Sequence, residues 1–167
     1  NALSAANEPA YVQALSAFVR EFPKHKANGE ARFRLGELLQ RQGKLAEAEA
    51  EYAQVNGDVA FERRATFARA QTLVKRLEQT PEGTKPDPEL AARATAALDT
   101  FRAQLESHEA KEFGDTPVAD LSGQASLMSA YLVALADKPD YERALALLAG
   151  FEEKYPKLAT ERPQVVK

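Results

Sequence analysis

The sequence predicts an all-α fold of about seven antiparallel helices, stacked pair upon pair. Two observations carry that expectation. Alanine with Glu, Lys, Arg and Gln dominates, β-branched runs are absent, and apolar residues recur three and four positions apart. The chain also resembles itself at a shift of 34 residues, which places Tyr11 on Leu45, Ala14 on Ala48, Phe18 on Tyr52, Ala31 on Ala65, Phe33 on Phe67, Gly36 on Ala70 and Leu39 on Leu73. Agreement in size class at one offset, over two different helices, is what a helix–turn–helix repeat produces. Chance likeness among alanine-rich helices scatters over several offsets.

The helices are expected near 8–22, 29–42, 45–55, 59–78, 87–108, 117–136 and 139–154. Pro23 closes the first. Gly43 separates the second from the third, supplying the left-handed turn that a residue with a Cβ adopts only at a cost. Asn56-Gly57 stops the third. After the fourth, the stretch "TPEGTKPDP" (Thr80–Pro88) interrupts the pattern. Asp87-Pro88 and Thr116-Pro117 each put a capping residue before a proline at the first helical position, opening the fifth and sixth helices. Pro156 ends the seventh.

A helix–turn–helix period of this length is that of the tetratricopeptide repeat (TPR), and residues 31–55 resemble that family. Leu35-Gly36, Leu39, Gly43, Leu45, Ala48 and Tyr52 stand where its pattern places a Leu-Gly pair, a second aromatic or aliphatic residue, the turn glycine, and the helix-B alanine and aromatic. The resemblance implies a right-handed α-solenoid. It also explains why Gly36 interrupts a helix at a cost of ~1 kcal/mol against alanine. Only a tiny side chain lets helix B approach there, and Ala70 takes the equivalent slot one repeat later.

The chain departs from the family pattern in places. Arg32 stands at a position usually large and apolar, and Arg69 replaces the leucine matched by Leu35. Aligning Ala97 and Phe101 with Ala48 and Tyr52 requires about 15 extra residues in the turn and lengthened helices. The expected organisation is a single domain over 1–167: a best repeat at 29–57, an interrupted one at 59–108 and a degenerate one at 117–156. "PDYERALALLAGFEEKYPK" echoes "PAYVQALSAFVREFPK": both run Pro-x-Tyr-x-x-Ala-Leu and close Phe/Tyr-Pro-Lys. That ending is similar to bacterial cell-envelope TPR proteins of the outer-membrane-assembly lipoprotein and Tol-Pal-associated coordinator types. The resemblance implies a periplasmic or outer-membrane-associated place ahead of a cytoplasmic one. Because the chain opens Asn1-Ala2-Leu3, a fragment of a longer chain is expected.

Composition bounds the function. With 44% hydrophobic and 28% charged residues, a folded chain is expected, and the net charge of -3 offers no basic face for nucleic acid. The absence of cysteine excludes disulfides, thiolate metal sites and a cysteine nucleophile. By eye no apolar run approaches the ~18–20 residues that span a bilayer, so no membrane insertion by this segment is expected. His25 and His108 read as surface residues rather than metal ligands, and Ser107 points away from His108. Glu47, Glu49 and Glu51, like Glu152 and Glu153, read as solvated helix faces rather than catalytic carboxylates. Gly83 and Gly114 are lone loop glycines, not a phosphate cradle. Neither an enzyme, a metal nor a cofactor is expected.

What remains is binding. The family resemblance implies that the helix-A positions of Phe33 and Phe67 face a concave groove holding extended peptides, as a partly exposed aromatic step flanked by Glu37, Gln40 and Arg41, then Gln71 and Lys75. The competing reading, that both phenylalanines simply pack between neighbouring helices, stays open. Phenylalanine with Glu37 or Gln71 stands where some family members carry the Lys/Asn clamp for a terminal carboxylate. The expected function is a protein–protein interaction scaffold that binds a peptide or partner domain on its concave face. The alternative is a structural helical-repeat segment packed on its parent chain in an envelope assembly.

Overall fold

Amphipathic segments with few β-branched residues fold as helices wherever a neighbour covers their apolar stripe. The computed structural model describes residues 2–81, 83–107, 117–136 and 138–161, and every regular element among them is an α-helix. The elements are α1 (Ala2–Glu21), α2 (Asn28–Arg41), α3 (Leu45–Tyr52), α4 (Val59–Glu78), α5 (Pro88–Ser107), α6 (Val118–Leu135), α7 (Tyr141–Leu147), α8 (Phe151–Lys154) and α9 (Pro156–Glu161). His108, Gly114 and Thr116 lie outside the described residues.

The expected boundaries of α2 and α4 hold within a residue, and those of α5 nearly so. Asp58 caps α4 by accepting from the amides of Ala60 and Phe61, and Asp87 does the same for Glu89 in α5. Gly43 (φ 75°) and Gly57 (φ 84°) make the left-handed turns. Five expectations need correction. The first helix begins at Ala2 rather than 8 and carries Pro9 inside it: the alanine-rich start is a strong enough helix former to tolerate one forfeited hydrogen bond. α3 ends at Tyr52 instead of 55, where amides turn back three residues, Val55 to Tyr52 and Gln54 to Glu51. Pro117 is the extended residue before α6, not its first helical residue. The expected helix 139–154 divides at Gly150, which sits at φ 67° and separates α7 from α8. Pro156 then both stops α8 and starts α9, since a proline lacks only an amide that a first turn leaves unpaired anyway.

From α1 to α7, each helix packs on the next in the chain, and α2, α4 and α6 also touch in turn. Two apolar cores result. Val19, Phe33, Leu35, Leu39, Tyr52 and Ala65 lie in the first; Ala70, Leu73, Leu77, Leu98, Phe101 and Leu121 lie in the second. α4 serves both, through Ala65 near its start and Ala70, Leu73 and Leu77 later.

Gly36 sits at a tight joint of the first core. A Cβ built there would lie 2.6 Å from Cε1 of Tyr52, inside van der Waals contact. Its counterpart Ala70 is fully buried in the second core together with Phe101, the residue aligned with Tyr52. Gly123 repeats the device on α6, where a Cβ would come 2.5 Å from Leu158 and 2.9 Å from the Tyr155 ring.

α6 also corrects the reading by eye of its hydropathy. Its 18 residues average 1.2, long and apolar enough by length and composition to cross a membrane. Interspersed Gly, Ser and Gln hide this from inspection, but only Asp120 is charged. Here α6 packs on α4, α5 and α7 to α9, with Leu121, Gly123, Ala125, Ser129, Ala130 and Leu132 buried.

Replacing Gly36 with Leu is therefore expected to destabilise the fold by about 1–3 kcal/mol or more, despite leucine's better helix propensity. A urea melt checks this; a midpoint that rises would show that Tyr52 does not depend on the gap.

Candidate functional site

The same face of α2, α4 and α6 carries one glutamine each: Gln40, Gln71 and Gln124. The Tyr52 hydroxyl donates to Oε1 of Gln40 at 2.9 Å, and Nε2 of Gln71 donates to Oε1 of Gln124 at 3.0 Å. Burial, then the negative charge of Glu37, pushes the Tyr52 hydroxyl well above the usual phenol range, so it stays a donor. The amide nitrogens of Gln40 and Gln124 are left without a partner among the described residues.

Three adjoining hollows open along this ladder. The largest, about 740 Å³, lies between α4, α6 and α7 and is walled by Val74, Leu127, Met128, Tyr131, Leu145 and Leu148. A second, about 640 Å³, lies over α1 and α2, bordered by Tyr11, Arg34, Leu38 and Arg41. A third, about 200 Å³, has Phe33, Arg64, Phe67 and Phe101 in its walls. Gln40 borders all three. Glu37 joins the second to the third, Gln71 the first to the third, and Lys75 the first to the second. The hollows thus lie side by side along one groove-like face.

All seven residues read from the sequence line it: Phe33, Glu37, Gln40, Arg41, Phe67, Gln71 and Lys75. The expected aromatic step needs correction, however. Phe33 is only 4% exposed, its ring 5.8 Å from Tyr52 and 5.6 Å from Phe61. Phe67 is half-buried, 4.4 Å from the Phe101 ring. They floor the groove and do not project into it. The open apolar surface lies elsewhere, on Tyr141 (64% exposed) and Leu145 (70% exposed) at the rim of the largest hollow. Sequence reasoning passed over these two, with Arg64, Gln124, Met128 and Tyr131. A signal existed: the echoed Pro-x-Tyr-x-x-Ala-Leu places Tyr11 and Tyr141 alike, and both stand exposed at opposite ends of the groove.

The acidic residues of α3 are not one solvated face. Glu47 is exposed, but Glu51 pairs with Arg32 at 2.7 Å. Glu49 is buried, accepting from Arg69 at 2.8 Å and from Arg93, with Arg76 3.8 Å away. Arg32 and Arg69, the two departures from the repeat pattern, are thus both among the residues that reach these carboxylates. Burial alone would raise the Glu49 carboxyl; the hydrogen bonds and charges of Arg93 and Arg69 outweigh it and hold the group below its usual range. His25 caps a turn, its Nδ1 accepting from the Ala27 amide.

Comparison with protein-family models, curated proteins and solved structures finds no match.

Because the Glu49 carboxyl titrates lower in the folded chain than the ~4.3 of an unfolded glutamate, its contribution is present at neutral pH and lost as pH falls through and below that value. Glu49→Gln is expected to cost about 2 kcal/mol at pH 7, since the arginines remain partly exposed and solvent weakens the pairs. The gap to the unsubstituted chain should narrow as the pH is lowered to 3. Urea unfolding at both values checks it; a gap independent of pH would assign the loss to packing instead of charge.

Proposed function

We propose that this chain is a protein-interaction scaffold, its helices stacked as a right-handed solenoid of TPR type and its concave groove holding an extended segment of a partner. The observation that carries this reading is the pair Tyr141 and Leu145, standing largely exposed over a hollow walled by Met128, Tyr131 and Leu148. Isolated exposed apolar residues are ordinary on any surface, but two at the rim of an apolar hollow form an anchor site. The glutamine ladder supplies the complementary part. Amide side chains offer donors and acceptors to a main chain that, in an extended segment, has no partners of its own.

The sequence repeat, the close approach at Gly36 and the order in which α2, α4 and α6 touch all support the solenoid arrangement. The rim charges are largely paired within the chain, Arg34 with Glu37 and Arg41 with Glu8, and so tune the encounter more than the affinity.

Selection of short linear peptides displayed on phage is expected to yield binders of the groove. Tyr141→Ala and Leu145→Ala should each weaken those binders about tenfold, the loss common for an anchor side chain, while leaving the thermal melt nearly unchanged. Glu47→Ala, on the exposed face of α3, is the control and should leave both unchanged. Peptides that bind the Tyr141→Ala, Leu145→Ala double variant as tightly as the parent chain would overturn the groove reading. Fluorescence anisotropy makes the comparison.

A further inference from the structure

We propose that the groove selects partners bearing an aspartate or glutamate side chain, whose carboxylate is received by Arg64 on the groove floor between α2 and α4. This rests on the groove being the binding face. Arg64 lies three residues before Phe67 on α4, so the two share a face of the helix. Its guanidinium carbon sits 4.6 Å from the centre of the Phe33 ring and 5.4 Å from that of Phe61. Arg34 approaches the same rings from α2, at 6.0 and 5.9 Å. Two cations thus flank the buried Phe33 and the half-buried Phe61, but only one of them meets a carboxylate among the described residues.

Arg34 meets Glu37 at 3.1 Å and Glu30 at 3.8 Å. Arg32, Arg41, Arg69, Arg76 and Arg93 each meet a carboxylate as well. Arg64, half-buried in the smallest hollow, makes no hydrogen bond or ion pair among the described residues. Glu37 lines the same hollow, yet its carboxylate is taken by Arg34. A partly desolvated guanidinium with its donor fork open is an unspent recognition element. Stacking on Phe33 restrains it in advance, so less freedom is lost when a carboxylate takes two parallel hydrogen bonds from it.

The surroundings decide what carries the carboxylate. The hollow adjoins, across Gln71, the apolar one at α6 and α7. A small free anion would leave that neighbouring surface bare. An extended segment can place an acidic side chain on Arg64, its main chain along Gln71 and Gln124, and an apolar side chain between Tyr131 and Leu145. The occupant is therefore a peptide with an acidic residue near an apolar one.

The test starts from peptides selected on the intact chain from a random displayed library. The best binder is synthesised with an amidated C-terminus, beside a twin in which its acidic residue becomes the corresponding amide. Acidic residues should be enriched at one fixed spacing from an apolar residue, and the twin should bind about tenfold more weakly. On the Arg64→Gln chain the difference between the two peptides should vanish. Arg64→Lys, which keeps the charge without the fork, should retain part of it, and a thermal melt confirms that both variants are folded. Should Arg64→Gln fail to fold, the twin's binding to the parent chain and the Arg64→Lys difference still decide the matter. Peptides selected without an acidic residue, a twin that binds equally, or a difference that survives Arg64→Gln would each overturn the Arg64 assignment while leaving the groove reading standing. Selection of no peptide at all would overturn both.

Discussion

The carboxylate of Glu49, buried on α3, is shared by Arg69 and Arg76 of α4 and Arg93 of α5, so three helices depend on one acceptor. A buried carboxylate without cations is costly, and these guanidiniums satisfy it only if α4 keeps one rotation about its axis. Arg69 and Arg76 are seven residues apart and fall on one side of that helix. Phe67 and Gln71, two residues either side of Arg69, fall about 200° round it, at about 100° per residue. Holding the arginines on Glu49 therefore turns Phe67, Gln71 and Lys75 toward the groove. The electrostatic joint on one side of α4 fixes which residues line the groove on the other.

Small residues set the depth of the packing. Gly36 against Tyr52, Ala70 in the core of Phe101, and Gly123 against Tyr155 and Leu158 each let a neighbouring helix or turn approach closely. α4 runs through both cores, so a shift at one is transmitted to the other through a rigid rod. The groove thus lies on one side of α4, and the arginine–carboxylate pairs of Glu49 lie on the other.

Much of this was legible in the sequence because it is local. Periodicity and composition indicate helix, the Asp87 cap and the turns at Gly43 and Gly57 lie where their chemistry suggests, and the shift relating Gly36 to Ala70 pointed to the close approach. What was missed is long-range or compensated. Arg93 lies 44 residues from Glu49, so nothing in the pattern of α3 distinguishes a buried glutamate from the exposed Glu47 two positions earlier. The family resemblance implied that Phe33 faces a groove but could not say that Tyr52, Phe61 and Arg64 would cover it. Gly150 lies inside an otherwise continuous helical pattern, and only its left-handed backbone reveals the division into α7 and α8. That division frees α7 to carry Tyr141 and Leu145 at the groove's rim.

The central claim is that binding takes place on the side of α4 opposite Glu49. Amide chemical-shift mapping of the isotope-labelled chain, titrated with a selected peptide, tests it most directly. The account expects the largest changes on Gln71 and Lys75 of α4, on Gln124 to Tyr131 of α6 and along α7, with Arg69, Arg93 and α3 little affected. Changes centred on α3 and α5, with α6 and α7 silent, would contradict it.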